Sequence, residues 1–175
     1  MTFQHKPAPR SFDDAMERLN DPAERYIPPL DGPGYWLRPR DKVRLLQSLL
    51  AALAVHILVG VEGHLDGLGL DALPGVRFGE LGILVRNTAF PVLDYFVVPL
   101  NVGEAGTLVE LLNPGILDER VIHIVVQAGE ALELGIYDNF HPETTWAGEA
   151  FDPELLNRLT KEGQLDGWQP AGGGG

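Results

Sequence analysis

Cysteine is absent from this 175-residue chain. That excludes a disulfide framework, a thiolate metal site and a cysteine nucleophile, and it fits a reducing cytoplasm. A long hydrophobic run is absent as well. Residues 45–61 carry no charge, but they fall short of the ~20 apolar residues that a spanning helix needs, and Gln47, Ser48 and His56 interrupt them. A buried helix leading into a strand accounts for the run better, so no membrane role is expected. The first ten residues include Pro7 and Pro9 and lack the apolar stretch of a secretory signal.

Positive charge is scarce over most of the chain. Residues 45–175 hold five Lys or Arg against eighteen Asp or Glu, whereas residues 1–44 hold eight against seven, and the whole has a formal charge of −12. A body of that sign repels phosphates, so neither nucleic acid nor an anionic membrane is an expected partner. A basic protein or a cation is attracted to it. Short catalytic motifs are missing too: there is no P-loop, H-E-x-x-H, G-x-S-x-G or EF-hand loop. Residues 67–72 match G-x-G-x-x-A by letter, but Pro74-Gly75 breaks the helix that a dinucleotide fingerprint requires.

What is present describes an ordinary globular chain, 45% apolar and 22% charged, long enough for one domain with its own core. The expected organisation is a flexible arm at 1–10, a single α+β domain at 11–169 and a disordered tail at 170–175. Ser11 can cap a short helix at 12–19. The proline- and glycine-rich residues 26–39 predict an ordered loop without regular structure. Asp41 can cap the main helix, whose Val43, Leu46, Leu49, Leu50 and Leu53 form one apolar stripe. Strands are expected at 55–61, 80–86 and 95–100, with a return segment at 65–70. A helix at 104–112 ends at Asn113-Pro114-Gly115, and Asp152-Pro153-Glu154 starts a final helix. The fold expectation is a mainly antiparallel sheet of five to six strands, covered by the Asp41 and Asp152 helices.

The richest segment is 121–143, VIHIVVQAGEALELGIYDNFHPE. Ile122, Ile124 and Val126 alternate along one strand, and Leu132, Leu134 and Ile136 along the next. Placing all six on one face calls for an odd-length loop, and a three-residue loop at 127–129 puts Gly129 at the left-handed bulge position. His123 then lies opposite Glu133, on the other face. A weak echo links residues 56–70 to 123–136, as apolar alternation can produce by chance.

Glu133 of the hairpin, with Tyr137, Asp138, Asn139, His141 and Glu143 beyond it, forms the expected binding surface, because loops beside rigid strands often carry recognition. His123, Asp138, His141 and Glu143 are the alternative: carboxylates with imidazoles can hold a divalent metal or pass protons. His56, Glu62, His64, Asp66 and Asp71 make a second cluster that matches no metal spacing. Trp36, Trp146 and Trp168 are expected in the core or a lid. The leading functional expectation is a non-enzymatic, cytoplasmic binding protein without a cofactor, neutralising or regulating a basic protein partner. In size and acidity the chain is similar to small bacterial proteins that neutralise toxins, a likeness of type that carries no motif. A metal-dependent enzyme and a homo-oligomeric structural module, the simplest being a homodimer, are the rival classes.

Overall fold

The computed structural model describes residues 33–172. The arm at 1–10, the helix at 12–19, the first part of the loop at 26–39 and the last three tail residues lie outside the described residues. Within them the chain runs β1 (Gly34–Pro39), α1 (Lys42–Ala52), β2 (Ile57–Gly63), a 3-10 turn (Leu70–Ala72), β3 (Arg77–Phe78) and β4 (Asp94–Leu100). It continues through α2 (Ala105–Leu111), α3 (Pro114–Glu119), β5 (Val121–Ala128), β6 (Ala131–Ile136), β7 (Thr145–Ala147), α4 (Pro153–Lys161) and β8 (Leu165–Ala171). The α+β class is as expected, but the sheet is larger: eight strands in the order β3-β4-β2-β5-β6-β7-β1-β8, every pair antiparallel. Four helices accompany it among the described residues: the two main ones expected after Asp41 and Asp152, the short one expected at 104–112, and a further one at Pro114–Glu119.

Local chemistry explains the helices. The Asp41 carboxylate accepts the Arg44 N–H at 3.1 Å and starts α1. Leu45, Leu46, Leu49 and Leu50 are buried along it. The helix ends before the β-branched run that becomes β2. Asp152 caps α4 by accepting from the Glu154 N–H at 2.7 Å. Asn113-Pro114, read as a helix stop, also starts α3, because Asn113 accepts from Ile116 N–H and proline needs no partner at the first turn.

Four sequence expectations are corrected. Residues 34–39 are a strand, because the prolines stand at its margins and leave Tyr35 to Arg38 free to pair. Residues 80–86 are not a strand; apart from a bridge between Leu81 and Leu84 they belong to a strap, residues 79–93, that crosses the sheet. Residues 65–70 do not return as a strand but run into the 3-10 turn, so the echo with 123–136 is not a second hairpin. Strand β8 takes in Pro170 and Ala171, two residues of the expected tail.

The β5–β6 hairpin is also differently registered. Ala128 pairs with Ala131, so the loop is the two residues Gly129 and Glu130, with Gly129 at φ 62°. A bulge restores the face parity that this loop length disturbs. Gln127 faces Leu132, Val126 faces Leu134 and Ile124 faces Ile136, leaving Glu133 as the extra residue. Ile124 and Leu134 therefore share a face as expected, whereas Leu132 turns to the opposite one. Glu133 is not opposite His123. Its carbonyl takes the Gly148 N–H at 2.7 Å, and its carboxylate takes that of Ala150 at 3.3 Å.

The two sheet faces differ. The main core joins Val59, Val61, Val98, Ile124 and Ile136 to leucines of all four helices. The second face carries Tyr95, Val97 and Val125, covered by Leu84 of the strap. Replacing Leu46 or Leu50 with Ala should cost about 2–5 kcal/mol, the usual range for emptying a buried leucine site. Denaturant unfolding would read that as a lower midpoint with an unchanged slope.

Candidate functional site

The second face places three polar side chains in one row. Tyr95 on β4 faces Glu62 on β2, and Glu62 faces His123 on β5. All three are buried, Glu62 completely. A bulge just beyond Glu62, where Gly63 pairs with Val121, sets the end of this row. Tyr95 lies across Gly60, where any Cβ would collide with the phenol oxygen. The Tyr95 hydroxyl has no hydrogen-bond partner among the described residues. Burial, with Glu62 and Glu80 nearby, pushes its pKa far up, so it stays neutral.

The strap supplies what burial removes. Glu62 accepts the Asn87 N–H at 2.8 Å and the Thr88 N–H at 2.9 Å. Burial raises the Glu62 pKa above the usual carboxyl value, against the opposing pull of these two amides, the Thr88 side chain and Arg86. Arg86 lies 5.6 Å from the Tyr95 ring centre and donates to the Leu93 carbonyl at 3.2 Å. Its backbone N–H binds Glu80 at 2.8 Å.

His123 joins the strap to the turn after β6. Its Nδ1 accepts the Asp138 N–H at 3.2 Å, and its Nε2 lies 3.1 Å from the Thr88 hydroxyl. An amide donor at Nδ1 places the proton of the neutral ring on Nε2, which therefore donates to Thr88. The Tyr137 ring packs 5.6 Å away. Burial holds His123 below the ordinary imidazole pKa, while the Asp138 carboxylate pulls upward.

Asp138, Asn139 and Phe140 all have positive φ, at 48°, 55° and 64°. Such conformations are uncommon for residues other than glycine, although Asn and Asp tolerate them best. Asn139 anchors the turn. Its side-chain amide donates to the carbonyls of Leu117 and Val121 at 2.8 Å and of Asp118 at 3.0 Å. Its Oδ1 accepts from Lys42 Nζ at 2.5 Å, and the same amine pairs with Asp118 at 2.7 Å. Phe140 is buried in the main core.

The expected binding residues consequently fall in different places. Asp138, His141 and Glu143 are exposed on the turn, Asn139 ties it down, Tyr137 packs on His123, and Glu133 sits apart at the hairpin bulge. His123, Asp138, His141 and Glu143 do not converge as one set of ligands. Both His123 nitrogens are engaged by the protein, and His141 Nδ1 accepts the Glu143 N–H at 3.3 Å. Among the described residues no group of three or more His, Asp or Glu is placed to hold a metal ion.

The second sequence cluster also separates. Glu62 goes inward, while His56, His64, Asp66 and Asp71 are exposed. Tyr95, Thr88 and Arg86 were not singled out from the sequence. The one available signal was a glutamate in an otherwise apolar strand, ILVGVEG. Of the tryptophans, Trp146 is buried, Trp36 pairs with it across β1 and β7, and Trp168 donates to Asn157 at 3.2 Å.

No family model, no curated protein and no solved structure matches this chain.

Two measurements check this geometry. Replacing Asn139 with Ala should destabilise by about 2–3 kcal/mol, since it strands carbonyl acceptors and loses the side chain suited to a left-handed residue. Thermal and denaturant melts would show it. For His123, the lowered pKa means a stability contribution complete above the ordinary imidazole value of ~6.5 and lost as pH falls through the lower folded value. Glu62 has the opposite sign: its contribution is complete below its ordinary value and lost as pH rises through the raised one. The stability gap between wild type and His123→Gln should therefore narrow from neutral to mildly acidic pH, as paired unfolding curves would show.

Proposed function

We propose that this protein is a non-enzymatic binding protein that docks a basic protein partner on the turn after β6. The observation that supports this most is the arrangement of carboxylates there. Asp138 and Glu143 are exposed on a turn whose backbone is tied by Asn139 to the end of α3, where Asp118 and Glu119 are also exposed. Lys42 pairs with Asp118, while Glu119, Asp138 and Glu143 have no ion pair among the described residues. Negative charge held on an ordered frame attracts a cationic surface over distance and costs little ordering on contact.

The buried groups support the same reading. Glu62, His123 and Tyr95 are the kinds of side chain that perform acid–base chemistry, but here they are buried, and Glu62 and His123 are used to hold the strap. The chain's overall charge of −12 adds long-range attraction for a basic partner. Neutralisation or regulation of such a partner, a toxin or nuclease for example, is the role that fits this chemistry.

Charge reversal tests the reading with poly-L-lysine as the probe. Asp138→Lys with Glu143→Lys should weaken association by about tenfold or more, and the wild-type association rate should fall steeply as salt shortens the Debye length below ~10 Å. The control pair, Glu154→Lys with Glu162→Lys, is on or beside α4 and should have much less effect. Equal losses from the two pairs would mean general attraction to an acidic body and would overturn the docking assignment. A rise in melting temperature with a divalent ion, removed by His141→Ala, would instead support the metal reading.

A further inference from the structure

The His123 ring is a hydrogen-bonded attachment point shared by two segments, the strap and the turn after β6. On one side, Nδ1 accepts the Asp138 N–H and thereby holds the first residue of the left-handed turn. On the other, Nε2 reaches the Thr88 hydroxyl, while the Thr88 and Asn87 amides bind Glu62. Neutral imidazole satisfies both contacts. Imidazolium does not, because a protonated Nδ1 has no lone pair and places a second hydrogen against the Asp138 N–H.

We infer that His123 is a proton-operated lock: protonating its ring releases the Asp138 end of the docking turn and loosens the strap at Thr88, so that mild acid weakens partner binding. The effect on binding rests on the docking role proposed above; the lock itself does not. The groups around the ring decide the sign. On the same row lie Glu62 of β2 and, one strand further, Tyr95 of β4. The strap contributes Thr88 directly, with Arg86 and Glu80 behind it. The end of β6 contributes Tyr137 and Asp138. Asp138 favours the charged ring, but its exposed carboxylate is in solvent, whereas the imidazole is buried and loses its amide donor on protonation. Desolvation is the larger influence on this ring and keeps it neutral until the surroundings become acidic. The Asp138 bond belongs to the neutral form alone. Nε2–H can donate to Thr88 in either form, so the strap loosens because the charged ring, facing the Asp138 N–H without a lone pair, gains by moving toward water.

The conformation of the turn makes its release consequential. Three consecutive positive-φ residues persist only where surrounding contacts over-determine them. Asn139 and Phe140 fasten the later part of the turn to α3 and the core, and the backbone bond to His123 fastens Asp138. Losing that bond frees the residue that carries one of the exposed carboxylates, while the fold beneath it stays intact.

NMR on the isotope-labelled full chain tests the lock directly. The titration runs from about pH 7.5 to about pH 4.5, where imidazoles change charge. The ring should show the Nε2–H tautomer at the upper end and protons on both nitrogens at the lower. The Asp138 amide shift and the hydrogen-exchange protection of the Asn87 and Thr88 amides should change with the same midpoint as the ring. His123→Gln should remove that midpoint from both segments, and His141→Ala should leave it in place. Thr88→Val should uncouple the strap while Asp138 still follows the ring, which keeps the test valid should the Gln variant fail to fold. Separate midpoints for the two segments, or dependence on His141, would overturn the lock.

Poly-L-lysine affinity measured over the same range tests the regulation. It should fall with the ring's midpoint by at most about tenfold per pH unit, the limit for one proton. His123→Gln should remove this part of the fall. Binding that ignores the midpoint would overturn the regulatory claim. Co-titrating amides with no probe binding at any pH would uphold the lock and overturn the docking role.

Discussion

A carboxyl and an imidazole have been taken out of water side by side on adjacent strands, and much of the second sheet face is arranged around their need for partners. A buried ionisable group is costly unless hydrogen bonds replace its hydration. Glu62 obtains two backbone amides and His123 one amide and one hydroxyl, all from segments outside the strands that carry them. Satisfying those two side chains fixes where residues 79–93 lie. Leu84 then enters the apolar contact with Tyr95, Val97 and Val125, so polar and hydrophobic attachment reinforce each other. Gly60 belongs to the same arrangement, because only an absent side chain lets the phenol end of Tyr95 approach β2.

The turn after β6 solves a related problem by different means. Left-handed backbone at Phe140 is unfavourable alone, yet the ring is buried in the main core and Asn139 gathers three carbonyls and an amine. Strain of this kind is tolerated where several independent contacts agree on one conformation. The result joins α1, α3, β5 and the turn at one point, with exposed carboxylates on its outer side. Order and exposed charge coexist because separate residues provide them: Asn139 and Phe140 the first, Asp138 and Glu143 the second.

Much of the fold was legible because local patterns were strong. The Asp41 cap and the leucine stripe located α1; β-branched and aromatic runs located β2, β4 and β5; Asp152-Pro153 located the start of α4. Misreadings occurred where a local pattern had two physical uses. ELGILVR at 80–86 has strand composition, but its apolar residues cover a sheet instead of joining one. YIPPLDGPGYWLRP reads as a loop by composition, yet its prolines leave room for β1. Alternation along β6 predicted a shared face for Leu132, Leu134 and Ile136, and a bulge at Glu133 transferred Leu132 to the opposite side.

The candidate site was less legible, since its members are distant in the chain. His123 and Glu62 were each noticed, but in separate clusters, and Thr88 and Tyr95 had nothing local to mark them. The sequence by itself determined the acidity, the absence of cysteine chemistry, the α+β class and the starts of α1 and α4, because these depend on composition, short-range periodicity and capping. Only the tertiary structure decided which titratable groups are buried, which face Glu133 leaves, and that His123 touches both Thr88 and Asp138. Those outcomes depend on strand register and bulges, set by the combined free energy of many long-range contacts. A shift of one residue in register would turn a strand side chain such as Glu62 or His123 to the other face.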